Sequence, residues 1–219
     1  MEIDFITDHH KKTKRNYVER VNKIDKAEAA IKAKKWGFDY WDGSRDVNYG
    51  GYNYDGRWEP IAKKMIRHYN LNNHSKILDV GCGKGFLLYE FKKALPKCQI
   101  QGLDISKYAI DNSKEEIKKN LVVGNATKLP FENNHFDLVI SLNTLHNLYC
   151  YELNDALAEI ERVGKKDKYI CVESYRNERE KVNLLYWQVT CECFYTPSEW
   201  KWWFKKCKYT GDHSFIYFE

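Results

Sequence analysis

No run of about eighteen apolar residues occurs in this 219-residue chain, so no membrane-spanning helix is expected. The first twenty residues are polar and charged, without the apolar centre of a secretory leader, and a cytoplasmic protein is expected. No Cys-x-x-Cys pair occurs among the seven cysteines (Cys82, Cys98, Cys150, Cys171, Cys191, Cys193 and Cys207), and their number is odd. Reduced thiols fit that pattern better than a disulfide framework. Cys191 and Cys193 stand one residue apart, too close for a usual zinc knuckle, so no metal is expected. No dense block of one charge occurs either: the net charge of +5 comes from scattered lysines. Basic residues are not interleaved with aromatics as in a single-strand track, so nucleic acid is not an expected partner. There is no internal repeat or low-complexity stretch.

What the chain has in quantity is aromatic residues, 15%, and hydrophobic residues, 43%, enough for one domain with a substantial core. Its centre is the stretch 76–91, KILDVGCGKGFLLYEF. Ile77, Leu78 and Val80 read as a buried strand, Gly81, Gly83 and Gly85 as a turn, and the remainder as an amphipathic helix. In a parallel α/β sheet the ligand crevice lies at the carboxyl ends of the strands. Glycines there let the backbone approach a ligand, and a helix N-terminus offers free N–H groups. A dinucleotide fold wants G-x-G-x-x-G, but counting from Gly81 the third glycine falls on Phe86. That spacing argues against a nicotinamide dehydrogenase.

The pattern present is D-x-G-x-G-x-G, from Asp79 to Gly85. It resembles the first motif of the class I S-adenosylmethionine-dependent methyltransferases. The resemblance implies a Rossmann-like α/β fold, with a seven-stranded, mostly parallel sheet and helices on both faces. It also places Asp79 near the cofactor's amino acid part, with Gly81, Cys82 and Gly83 against it. Asp104 ends a second strand, 99–104, and stands 19 residues after Gly85. Dinucleotide folds place their ribose carboxylate at about that distance. In the resemblance Asp104 binds both ribose hydroxyls, left free because Ser106 caps the next helix, and Ile105 packs on the adenine.

Two later stretches carry the same resemblance. LVVGNATKLPF, 121–131, is similar to the family's G-D-A-x-x-L-P-F segment, with Asn125 where the acid stands. An Asn carbonyl still accepts from the adenine amino group, and Ala126 offers its N–H. HFDLVISLNTLHNL, 135–148, resembles the fourth strand and its loop. This places Ser141 beside the cofactor and Asn143 beside the acceptor. The loop is not [ND]-P-P-[YF], and the chain has no Pro-Cys pair. Both absences argue against methylation of exocyclic amines, glutamine amides and cytosine C5.

Outside these motifs, residues 1–35 read as one long helix capped by Asp8, with Tyr17, Val18, Val21, Ile24, Ala27, Ala30 and Ile31 on one stripe. Residues 36–60 hold three Trp, four Tyr and one Phe among glycines and aspartates. They form either a satellite core under a long loop or a movable cover over a pocket. Tyr49 and Tyr52 are candidate acceptor contacts. Arg45 and Arg57 suit a carboxylate or phosphate. Arg57 either holds the cofactor carboxylate or an anionic acceptor, or forms a surface salt bridge. A division at residue 60 separates this extension from a cofactor-binding domain, 61–219. A fifth strand, 169–172, leads to Glu173, Tyr175 and Arg176, candidates for acceptor binding. Thr196 caps a helix starting at Pro197, whose three Trp are expected to anchor it to the sheet, and 209–218 supplies the last, antiparallel strands.

Methyl transfer requires an aligned acceptor, exclusion of water and, for a hydroxyl or ammonium acceptor, removal of a proton. His146, in the loop after the fourth strand, is the first candidate base, with an ordinary pKa of about 6.5. Its alternative role is packing or substrate binding. The expected function is S-adenosylmethionine-dependent O-methylation of a small molecule, releasing S-adenosylhomocysteine. W-G-F-D-Y-W-D-G and Y-T-P-S-E-W are similar to segments of bacterial methyltransferases associated with surface-polysaccharide decoration. That likeness implies a sugar, nucleotide sugar, or phosphate- or phosphoramidate-bearing acceptor. The alternatives are an RNA or protein methyltransferase and a non-catalytic S-adenosylmethionine-binding subunit.

Overall fold

The computed structural model describes residues 1–219 apart from Lys12, Lys14 and Gly51. Four short helices come first: α1 (Thr7–His10), α2 (Tyr17–Lys23), α3 (Lys26–Ala33) and α4 (Phe38–Trp41). The expected single N-terminal helix is therefore broken. Asn16 and Asp25 accept hydrogen bonds from the backbone N–H groups of Glu19 and Glu28, so each starts a new helix. The expected stripe breaks with it: Val18 and Ile31 are 59% and 64% exposed, while Ala29 and Ala33 are buried. Asp8 lies inside α1, and Asp4 accepts from the N–H groups of Ile6 and Thr7.

Six strands interspersed with helices follow. They are α5 (Glu59–His68), β1 (Lys76–Val80), α6 (Phe86–Ala94), β2 (Gln99–Asp104), α7 (Lys107–Asp111), α8 (Glu115–Lys118), β3 (Leu121–Val123), β4 (Phe136–Leu142), α9 (Cys150–Val163), β5 (Gly164–Glu173), α10 (Glu178–Trp187), α11 (Pro197–Lys206) and β6 (Asp212–Ile216). The sheet order is β3-β2-β1-β4-β5-β6, and every pairing is parallel. The order reverses between β1 and β4, which opens the crevice at their carboxyl ends.

The sheet has six strands among the described residues, not seven, and its last strand is not antiparallel. β5 and β6 are joined through α10 and α11, and a helical crossover returns the chain in the same direction. On the open side of β6, residues 1–3 pair with His213: Ile3 N–H donates to its carbonyl at 2.9 Å, and its N–H donates to the Met1 carbonyl at 2.9 Å. The exposed edge is thereby covered.

Strand alternation divides the core. Ile77 of β1 and Leu138 and Ile140 of β4 pack with α5, α6 and α10, through Met65, Phe91 and Leu184. Leu78, Val80 and Val139 pack on the other face with α9 and α11, through Leu157, Ile160 and Trp200. Phe5 and Ile6 join the first of these cores. Thr196 caps α11 as expected, reciprocally with Glu199. Of its three indoles only Trp200 is fully buried, and Trp202 is 57% exposed because it faces away from the sheet.

Candidate active site

A cavity of about 570 Å³ opens along the carboxyl ends of the strands, a size ordinary for a small-molecule site. It runs from Asp104 and Ile105 after β2, past the glycine turn, to Glu173 at the end of β5 and Ile216 at the end of β6.

The glycine turn forms its floor. Gly81 and Gly83 have φ of +81° and +55°, a region that side chains disfavour. A Cβ on Gly81 would stand 2.1 Å from Thr144 Oγ1, and one on Gly83 would stand 2.6 Å from the Trp41 ring. The alternate glycines are thus needed twice over, for conformation and for close approach.

Asp79 and Asp104 flank this turn, both buried. Asp79 Oδ1 has no hydrogen bond, and burial, then the nearby Asp104, push its pKa up to about 8. Asp104 is not free as expected. Its Oδ2 accepts from Gly83 N–H and its Oδ1 from Ser106 N–H, each at 2.8 Å. The carboxylate holds the turn in shape, and each oxygen keeps a further lone pair. Ile105 is 52% exposed at the rim, where a flat ring can lie on it. Cys82 and Ala126 also line the cavity, and burial raises the Cys82 thiol pKa.

Of two other cofactor candidates, Asn125 lines the cavity, where its Oδ1 accepts from Thr127 N–H at 2.9 Å and keeps a second lone pair. Ser141 lies outside the lining, because its hydroxyl donates to the Val80 carbonyl at 2.9 Å and ties β4 to β1.

The aromatic stretch forms the opposite wall. Trp41 Nε1–H donates to Ser106 Oγ at 2.8 Å, and Ser106 Oγ donates to the Trp36 carbonyl at 2.5 Å. Lys84, within the glycine motif, pairs with Asp42 at 2.6 Å, and Tyr108 OH donates to the same carboxylate at 2.8 Å. Tyr40 and Val47 pack with Ala29, Ala33 and Val189 in a small separate core. Trp36, Tyr40, Trp41, Tyr49 and Tyr52 also line the cavity. Satellite core and cover are therefore one structure.

At the far end lies a buried polar cluster. His146 Nε2 is 3.6 Å from Glu173 Oε2, and Glu173 N–H donates to His146 Nδ1 at 3.4 Å. That leaves the proton of the neutral ring on Nε2, facing the carboxylate. Gln188 Nε2–H donates to Glu173 Oε2. Tyr49 OH donates to Gln188 Oε1 at 2.6 Å and accepts from Val189 N–H at 2.8 Å, which fixes the amide's orientation. Burial pushes Glu173 up to about 8 and His146 down to about 3. The expectation of a histidine titrating near neutrality is not met, because desolvation keeps the ring uncharged.

Of the arginines singled out from the sequence, Arg57 alone reaches the cavity. Arg45 Nη1–H donates to the Tyr49 carbonyl at 2.7 Å and lies outside the lining. Arg57 is at the lining, but Nε–H and Nη2–H both donate to Asp55, at 2.7 and 2.5 Å. Arg176 is held by Glu180 and Glu219 outside the cavity, and Tyr175 sits under the Lys181 ammonium there. Asn143 does line the cavity, in a left-handed conformation at φ +54°. Residues not foreseen include Arg15, Trp41, Thr144, Gln188 and Thr190. Gln188 and Thr190 carry no sequence motif. They reach the site because Glu192 and Cys193 N–H groups both donate to the His146 carbonyl at 2.9 Å.

A family model described as a methyltransferase domain matches residues 71–208. The chain belongs to that family of methyltransferase domains. The family's cofactor is S-adenosylmethionine. The methyltransferase domain is 33% identical over 118 residues to demethylmenaquinone methyltransferase of Staphylococcus aureus, covering 51% of this chain and 48% of that one. It is 32% identical over 136 residues to 24-methylenesterol C-methyltransferase 3 of Arabidopsis thaliana, covering 56% and 36%. The matched part thus spans under half the length of these two relatives. Among solved structures, the YcgJ protein of Bacillus subtilis superposes with a TM-score of 0.55 at 22% identity, covering 67% of this chain and 66% of that one. That likeness supports the Rossmann-like fold.

The residues present fit the cofactor. Asp79 Oδ1, buried and without a donor, suits an ammonium, and Gly81 and Gly83 beside it line the cavity. Asp104 has lone pairs left for hydroxyls, and Ile105 and Ala126 supply apolar surface for a base.

Proposed function

We propose that the protein is an S-adenosylmethionine-dependent methyltransferase acting on a small-molecule acceptor. The observation that carries this reading is the single cavity joining the Asp79–Asp104 turn to the buried Glu173–His146 pair. The two relatives described above are named for small-molecule methylation, of a menaquinone precursor and a sterol. When bound, the cofactor supplies an electrophilic methyl group. Asp79, Gly81, Gly83 and Asp104 hold it, and Trp36, Tyr40, Trp41 and Tyr52 keep water out. Alignment of this kind contributes about 7–11 kcal/mol in favourable systems.

Glu173 takes the acceptor's proton in this reading. Its Oε2 is engaged by Gln188 and faces His146, and an acid raised toward 8 is well matched to work near neutral pH. His146 and the Tyr49–Gln188 pair position that carboxylate. The narrower expectation of a sugar or nucleotide sugar from surface polysaccharide rests on the sequence likeness of 36–43 and 195–200.

Labelled-methyl S-adenosylmethionine, incubated with the protein and a fractionated cell extract, tests the proposal. Label is expected in the small-molecule fraction and to be lost with Glu173→Gln. Label confined to RNA or protein would contradict it.

A further inference from the structure

Four of the five buried polar atoms without hydrogen bonds among the described residues belong to residues lining the cavity: His10 Nε2, Arg15 Nε, Asp79 Oδ1 and Asn147 Oδ1. The Asp79 oxygen is matched by the cofactor's ammonium. The Arg15 nitrogen is a cationic donor, and it lies elsewhere.

The Arg15 guanidinium carbon is 5.2 Å from the Trp187 centroid and 5.3 Å from that of Phe218, within cation–π range of both. Nη1 donates to the carbonyls of His10 and Thr13, at 3.4 and 3.1 Å, and Nη2 donates to His10 Nδ1 at 3.2 Å. Those contacts engage three of the five N–H groups, and Nε–H and one on Nη2 remain. No carboxylate pairs with Arg15 among the described residues. Burial, then Arg15 itself, drives His10 down to about 4, so the ring is neutral and the charge belongs to the guanidinium. The contrast with Arg57 and Arg176 is chemical: both of those already hold carboxylates through this same Nε and Nη2 edge.

Its position separates Arg15 from the cofactor turn. Phe218 lies just beyond β6, and β6 stands three strands from β1. At about 4.8 Å per strand that is roughly 14 Å. Glu173, at the end of β5, lies on the same side, and the Arg15 charge reaches it.

We propose that Arg15 is a specificity-determining residue that binds the anionic group, carboxylate or phosphate, of a small acceptor whose reacting atom lies toward Glu173. The inference rests on the methyltransferase reading of the same cavity. The rings of Trp187 and Phe218 and the bonds to His10 and Thr13 hold the guanidinium in place, so its free edge is set before the acceptor arrives. The anion marks one end of the acceptor, and the carboxylate of Glu173 the other.

The test is calorimetric titration of the full chain, first with S-adenosylhomocysteine and then, at saturation, with inorganic phosphate or with benzoate. The variants are Arg15→Gln, Arg15→Lys and, as control, Arg57→Gln. The unsubstituted complex is expected to bind at least one anion, and which one it binds identifies the acceptor's charged group. Arg15→Gln is expected to weaken that anion at least about tenfold, with S-adenosylhomocysteine affinity and the Arg57→Gln control unchanged. Arg15→Lys keeps the charge without the fork and is expected to fall between. If Arg15→Gln does not fold, the lysine variant decides. Anion binding that is absent from the unsubstituted complex, or unaltered in both Arg15 variants, would overturn the inference. So would a parallel loss of S-adenosylhomocysteine, which would assign Arg15 to the cofactor. Failure of the first titration in the unsubstituted protein would instead remove the methyltransferase reading on which it stands.

Discussion

The indole of Trp41 lies against Gly83, so close that a β-carbon on the glycine would be 2.6 Å from the ring. The aromatic stretch and the cofactor turn are therefore built as one unit. Gly83→Ala must displace the ring and also strain a residue at φ +55°. We expect a loss of stability of about 1 kcal/mol or more, and S-adenosylhomocysteine affinity lowered about tenfold. Thermal unfolding and calorimetry measure the two effects.

The cover is fastened at Asp42, which takes both Lys84 and Tyr108. Asp42→Asn removes the charge from this fastening and leaves its shape. S-adenosylhomocysteine is expected to dissociate about three- to tenfold faster, since changes within one site act mostly on the off-rate. Stopped-flow displacement reads this directly, and an unchanged rate would show that the cover does not gate the cofactor.

Asp79 and Glu173 are both raised to about 8 by burial, far above the unfolded carboxyl range. Between about pH 4 and pH 8 the folded chain therefore binds more protons than the unfolded chain. Stability of the ligand-free protein is expected to fall as pH rises through that window. Asp79→Asn flattens the fall and makes the free protein more stable at pH 8, by at least about 1.4 kcal/mol, one pKa unit's worth. The same variant weakens S-adenosylhomocysteine, because the carboxylate that suits its ammonium is gone. Denaturant titrations at pH 5 and pH 8 check both signs.

Turnover is expected to rise with pH toward 8 and to lose that limb in Glu173→Gln. His146 is driven down to about 3 by burial, so no limb near 6.5 is expected. His146→Gln should lower the rate by shifting Glu173, without moving the pH profile toward neutrality. A limb near 6.5 that vanishes in His146→Gln would return the base to the histidine.

The parts of the site carried by short local patterns were legible in the sequence. β2 (Gln99–Asp104) has the expected bounds, α6 begins at Phe86 directly after the glycine turn, and Asp79, Gly81, Gly83 and Asp104 meet at one turn. What escaped depends on contacts between distant residues. Arg57, at the cavity lining, and Arg176, outside it, are already paired, with Asp55 and with Glu180 and Glu219. Arg15 stood in a lysine-rich stretch with nothing to single it out, and only its packing on Trp187 and Phe218 brings it into the cavity. The last strand was misjudged because a ten-residue window does not reveal whether its neighbour is a hairpin partner or a crossover partner.

Thermal unfolding with S-adenosylhomocysteine, with NAD as control and Asp104→Ala as a second protein, tests the cofactor site most directly. At 100 times its dissociation constant the ligand stabilises by about 2.7 kcal/mol, which raises the midpoint by roughly 5–10 °C for a chain of this size. The site described above gives that shift with S-adenosylhomocysteine alone and loses it in Asp104→Ala, which removes the acceptor for Gly83 N–H as well as any ribose contact. A shift with NAD, or none with S-adenosylhomocysteine, would contradict it.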